Sequence, residues 1–226
     1  MATPQAFIIN QTKISEQVYD YLHGEIISGR LAPGQRLDLD ELVERLKISK
    51  MPIKEAIGRL ATEGLLDIQA RRGTYVGRVD ARDLAETFEV RCALEMLAGE
   101  LAVLRATKAD INQLRQLITQ MEASQDVGQH LDLNFQFHSL IVQLSDNRKL
   151  IEMYHRLRVP IQVAAIHYRS EDWMMRVAQE QKEHRAIVRA LEQKDAEAVS
   201  RAISQHIKRG SESLLEDVAL SQNAEG

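Results

Sequence analysis

Three residues, Lys47-Ile48-Ser49, separate two short stretches of helical periodicity, and this spacing constrains the chain more than any other feature. Before the gap, Leu39, Leu42, Val43 and Leu46 recur at the interval of an amphipathic helix, with Asp38 placed to cap it. After the gap, Ile53, Ala56, Ile57 and Leu60 form a second apolar stripe that Gly64 ends. Ser49 is expected to cap this helix. Pro52 fits its first turn, where an amide hydrogen has no partner within the helix. A preceding helix over Ile14 to Ser28 carries Val18, Leu22, Ile26 and Ile27, and Gly29 and Pro33-Gly34 close it off. Two short helices joined by so tight a turn read as a helix-turn-helix.

A wing comes next in the chain. Leu65 to Gln69 and Thr74 to Gly77 are strand-like runs, and Ala70-Arg71-Arg72-Gly73 connects them, with Gly73 free to take positive φ. Helix, turn, helix and basic hairpin in that order predict a winged helix-turn-helix over residues 1–79. The third helix would enter the major groove and the hairpin tip would lie beside the minor groove or phosphates. Ser49, Lys50, Met51, Lys54 and Arg59 are the residues expected to face double-stranded DNA, joined by Arg71, Arg72 and Gly73 at the tip. Charge agrees. Residues 1–79 carry a net charge of +1 and the remainder −5, so an acidic chain of net −4 keeps a locally basic face.

From Asp80 to the end, over residues 80–226, the pattern is helical almost throughout. Only 4% of residues are aromatic, and Gly and Pro number 11 and 4, so a mainly α fold is expected. The helices run to about Arg105, through Ile111 to Met121, from Gln129 to Ser145 after a loop at Ser124 to Gly128, and on from Lys149. Pro160 would kink or restart the chain. A helix from Met175 to Gln193 and another from Ala196 to about Leu220 are joined through Asp195. With one cysteine, Cys92, no internal disulfide forms, no apolar run approaches a membrane span, and no basic leader precedes an apolar core. The expected location is the cytoplasm.

Three of the seven histidines occupy informative positions. Asn134 and His138 are one helical turn apart on one face. His184 and His206 stand equally far from the turn at Asp195, hence at one level about 16 Å along a helical hairpin. His138, His184 and His206 with the oxygen of Asn134 would suit a divalent transition metal, zinc or nickel. Hydrogen-bonded core histidines are an equal alternative on spacing alone. His23, His130, His155 and His167 read as surface or boundary residues. Arg91, one turn before Glu95, is a candidate carboxylate anchor or an ion pair with Glu95. Arg158, Gln162 and Tyr168 are placed near by helix phase.

These residues resemble a known family. Ser28-Gly-Arg-Leu-Ala-Pro-Gly-Gln-Arg-Leu37, Ser49-Lys-Met-Pro-Ile-Lys-Glu-Ala-Ile57 and Arg71-Arg-Gly73 resemble the DNA-binding domain of GntR-family bacterial regulators. The family usually has Arg at Lys50 and Lys54, Thr at Met51, and Arg at Asp40. Leu133-Asn-Phe-Gln-Phe-His138, Ser145-Asp-Asn147, Glu183-His184 and His206 resemble the effector-binding FCD domain of its FadR subfamily. In metal-binding members the resemblance implies three His ligands and a carboxylate, a position held here by Asn134.

The resemblance implies a ligand-responsive regulator, a repressor more often than an activator. A homodimer would read a palindromic operator, and a small organic acid would bind at the metal. Sensing of the metal itself is one alternative. A metal-dependent hydrolase with an accessory DNA-binding domain is another, although no P-loop, G-x-S-x-G or H-E-x-x-H is present and no general base is evident. No enzyme activity is expected.

Overall fold

A computed structural model of the 226-residue chain describes residues 14–78, 80–168 and 173–224. The first part is a winged helix-turn-helix. Helices α1 (Ile14–Ile27), α2 (Leu39–Leu46) and α3 (Lys50–Thr62) pack through Val18, Leu22, Ile26, Leu42, Ile53 and Leu60, all buried. Asp38 caps α2 as expected, accepting from the amides of Asp40 and Glu41. Lys47, in the left-handed region at φ 55°, turns the chain from α2 toward α3. Strands β2 (Leu66–Gln69) and β3 (Gly73–Val76) form the antiparallel wing. Gly73 sits at φ +124°, a conformation that side chains disfavour. A third strand, β1 (Arg36–Leu37), pairs antiparallel with β3 so that Arg36 faces Tyr75. Two residues are too short to carry a period, and no strand is expected there.

The rest is all helical: α4 (Ala81–Ala102), α5 (Lys108–Ala123), α6 (Val127–Leu144), α7 (Arg148–Arg156), α8 (Arg158–Tyr168), α9 (Trp173–Gln193) and α10 (Ala196–Ala224). Local chemistry sets their starts. Asp80 caps α4, Thr107 and Asp110 form a capping box on α5, and Asn147 caps α7. The expected loop at Ser124 to Gly128 is shorter than predicted. Asp126 accepts from the Gln129 amide at 2.7 Å and starts α6 at Val127. Pro160 falls in the first turn of α8, so it restarts the chain after α7 ends. The expected connection at Ser170 to Trp173 falls partly on residues 169–172, which lie outside the described residues. Asp195 caps α10, accepting from the Ala198 amide, and makes α9 and α10 a hairpin.

α4 lies along both α6 and α10, and α5 packs on α6 and α9. Gly99 lets α4 and α10 approach. A Cβ there would stand 2.6 Å from both Ile203 Cδ1 and Val199 Cγ1. One apolar cluster runs through the bundle, including Phe137, Ile187, Leu191, Ile203 and Val218. The polar residues that interrupt it concentrate where α4, α6, α9 and α10 converge.

Candidate functional site

The N-terminal end of α3 and the wing present the residues expected to meet DNA. Ser49 has the extended backbone of an N-cap, but its side chain makes no capping hydrogen bond, contrary to expectation. Met51 is 72% exposed, and Lys54, Arg71 and Arg72 are exposed. Lys50 Nζ lies 2.5 Å from Asp40 Oδ1, so the first cation of α3 is paired with the start of α2. Arg59 is exposed in the last turn of α3 and also contacts α1. Its guanidinium lies over the Tyr19 ring, 4.2 Å from the centroid, while the Tyr19 hydroxyl donates to Glu63 at 2.6 Å. Arg59 thus braces α3 against α1.

The bundle brings His138 of α6, His184 of α9 and His206 of α10 together. One ring nitrogen from each lies within 4.8 Å of the others, and all three residues are buried. Each Nδ1 faces an acceptor: Glu95 Oε2 at 2.6 Å for His138, Gln181 Oε1 at 3.0 Å for His184, and Glu183 Oε2 at 2.9 Å for His206. Carboxylate and amide oxygens only accept, so Nδ1 carries the proton and Nε2 keeps its lone pair. His138 Nε2 and His206 Nε2 are 3.1 Å apart, and His184 Nε2 is buried without a hydrogen-bond partner. Asn134 Oδ1 is buried and unpartnered too, while its Nδ2 donates to Glu180 Oε1 at 2.6 Å. This donor set fits a divalent metal: inward lone pairs, with the outer nitrogens held from behind.

Electrostatics supports neutral rings at His138 and His184. Burial lowers the His138 pKa to about 4 and holds that of His184 well below its usual value, with the neighbouring rings adding to the effect. Burial alone would raise the Glu95 carboxyl, but His138 and Arg91 outweigh it and bring it to about 2. Glu183 behaves likewise. Hydrogen bonds from His206 and Arg209 overcome burial and set it at about 2.

Glu95 occupies a different place from the one expected. It is fully buried, with one oxygen held by Arg91 Nε at 2.6 Å and the other by His138, which places it behind the His138 ring. Arg91 forms the ion pair and also lines a two-lobed cavity beside the histidines. One lobe is largely apolar, with Leu131, Phe135, Tyr154 and Ile161. The other carries Asn134, Glu180, Arg176, Arg209 and His206. Gln162 lines the apolar lobe and donates to Asp132 Oδ1 at 3.2 Å. Tyr168 is half-buried against the core. The side chain of Arg158 lies outside the described residues. His130 is no surface residue. It is fully buried, within 3.3 Å of Glu180 Oε2 and packed on Trp173.

Sequence reasoning missed the supporting acceptors Glu180 and Gln181, and singled out Glu183 only as the neighbour of His184. Their signal is spacing: Glu180 and Gln181 precede His184 by one turn on the face that α9 buries.

A winged helix-turn-helix joined to an all-helical bundle with an interior polar cavity defines a class of two-part DNA-binding proteins. The chain belongs to the GntR family of bacterial regulatory proteins, which residues 14–76 match, and residues 86–209 match the FCD domain. It is 32% identical over 193 residues to the Nta operon transcriptional regulator of Aminobacter aminovorans, covering 84% of this chain and 89% of that one. It is 28% identical over 210 residues to the transcriptional repressor RspR of Escherichia coli, covering 91% of each. The solved structure of E. coli McbR/YncC superposes with a TM-score of 0.76 at 26% identity, covering 92% of this chain and all of that one. Among the described residues no helix is long and apolar enough to cross a membrane.

Proposed function

We propose that this chain is a dimeric, ligand-responsive repressor whose helical bundle takes a small organic acid at a divalent transition metal. The convergence of one ring nitrogen from each of three histidines to within 4.8 Å, with an acceptor facing Nδ1 of each ring, carries this reading. His138, His184, His206 and Asn134 Oδ1 would hold the metal, which would supply a Lewis-acidic position for a carboxylate. Arg91, anchored through Nε, would orient that carboxylate from the cavity wall. The bound acid would favour one arrangement of the paired DNA-binding halves only through a difference in affinity between arrangements. A hydrolytic reading is less well supported. Glu95 is held by Arg91 and His138, and Glu183 by Arg209 and His206, so neither is placed as a base.

The test selects bound duplexes from a random DNA pool at physiological salt, then measures affinity for the selected duplex with and without chelator and a panel of organic acids. A palindrome with two half-sites, released by an acid only when metal is present, is the expected result. Non-specific binding alone, or release indifferent to metal, would overturn the proposal. Release by metal without any acid would favour a metal sensor.

A further inference from the structure

The lower edge of the histidine cluster is built as a ladder. Asn134 and His138 are one turn apart on α6, and Glu180 and His184 are one turn apart on α9. The pairs face each other rung by rung. The His138 and His184 ring centroids are 5.3 Å apart, and Asn134 Nδ2 donates to Glu180 Oε1 at 2.6 Å. A third rung continues one turn earlier on α6, where His130 Nε2 lies 3.3 Å from Glu180 Oε2. Glu180 is itself only 5% exposed, so this carboxylate is fixed at both oxygens.

We infer that Glu180 is a positioning residue that makes Asn134 a metal ligand, an inference that rests on the proposed metal site. A carboxamide presents either an oxygen, which can ligate, or an NH2, which cannot. A carboxylate opposite settles the choice, because flipping Asn134 would set oxygen against oxygen. The amide nitrogen is therefore committed to Glu180, and Oδ1 is the atom left buried and unpartnered. The hydrogen bond also draws electron density onto Oδ1, so a neutral amide ligates more like a carboxylate. Glu180 in this role touches no metal.

The experiment titrates Zn2+ and Ni2+ into full-length, chelator-stripped protein by calorimetry, for wild type, E180Q, N134A, the N134A/E180Q double variant and H184A. E180Q is expected to weaken metal binding 10–100-fold, the range for outer supports of metal ligands. The same change is expected to cost nothing further in N134A, because Glu180 acts through Asn134. Unchanged affinity in E180Q, or an equal loss in both backgrounds, overturns the inference while leaving the metal centre standing. A wild type that takes up no metal, or that H184A matches, overturns the metal centre itself. E180D gives a second route should E180Q not fold. It keeps the charge but draws the carboxylate back from Asn134 Nδ2, so it is expected to weaken metal binding in the wild-type background and not in N134A, and an equal loss in both backgrounds overturns the inference.

Discussion

The Nε2 atoms of His138 and His206 face each other 3.1 Å apart in the interior of the bundle. Both rings are oriented by carboxylates on their far side, so each brings a lone pair to the gap. Two lone pairs at that distance repel, and a cation between them turns the repulsion into binding. Metal that binds only the folded chain must then stabilise it. At a free concentration one hundred times the dissociation constant the gain is about 2.7 kcal/mol, or roughly 5–10 °C in melting temperature for a chain of this size. Thermal melts of stripped protein with and without Zn2+ measure it. H206A is expected to lose the shift, and a shift that survives would place the metal elsewhere.

Acidification probes His138 and His184 without metal. His138 titrates at about 4 in the folded chain because it is buried, against 6.5 when exposed, and His184 is lowered too. The folded state therefore binds fewer protons than the unfolded one between these values. Stability is fully present above pH 6.5 and is lost as pH falls through about 4, by on the order of 3 kcal/mol for His138 alone. Urea melts in chelator at pH 7.5 and pH 5 should show the loss begin. Equal stability at the two values would mean that the rings are charged in the folded state.

On the DNA-binding half, Asp40 holds Lys50 at 2.5 Å, and both side chains are more than half exposed. In water such a pair contributes little to stability, ~0–1 kcal/mol. Its consequence falls on binding, because an anion beside the first residue of α3 opposes a phosphate. D40N should tighten binding to arbitrary duplex DNA. It should also steepen the dependence of log affinity on log salt by about 0.9, the increment for one phosphate contact. Anisotropy titrations between 50 and 200 mM salt decide it. An unchanged slope would mean that Lys50 stands away from the backbone. K54A and R72A should move the slope the opposite way.

Much of this was legible in the sequence because helices are rulers. The shared level of His184 and His206 follows from equal distances to Asp195, and the Asn134–His138 face follows from one turn of rise. The order of helices and wing in residues 14–76 follows from periodicity and from turn residues. The surroundings of the histidines were not legible. Glu95, Glu180 and Glu183 look like ordinary helix carboxylates, since their roles depend on how α4, α9 and α10 are rotated against α6, which only packing fixes. His130 reads as a surface residue because its burial comes from α9 and Trp173, distant in sequence. Arg59 reads as a DNA contact by helix phase, and its stacking on Tyr19 was not legible because α1 is distant in sequence.

The packing that fixes those rotations has a tight point at Gly99. A Cβ there would meet Val199 Cγ1 and Ile203 Cδ1, each at 2.6 Å, where α4 crosses α10. Two effects oppose each other in G99A. Alanine favours the helix by ~0.5–1 kcal/mol, whereas overpacking costs ~1–3 kcal/mol. The Ile203 methyl is a flexible end that can turn away. The Val199 methyl is fixed, because a β-branched residue in a helix has essentially one rotamer. Overpacking should win, leaving G99A about 1 kcal/mol less stable in urea melts. Trimming the stiff neighbour should release the strain, so V199A and G99A together should cost less than the sum of their separate losses. Because α4 carries Glu95 and α10 carries His206, G99A should also weaken Zn2+ binding, and V199A should restore part of it. Additive stability losses, or a G99A protein as stable as wild type, would show that α4 and α10 can separate without strain.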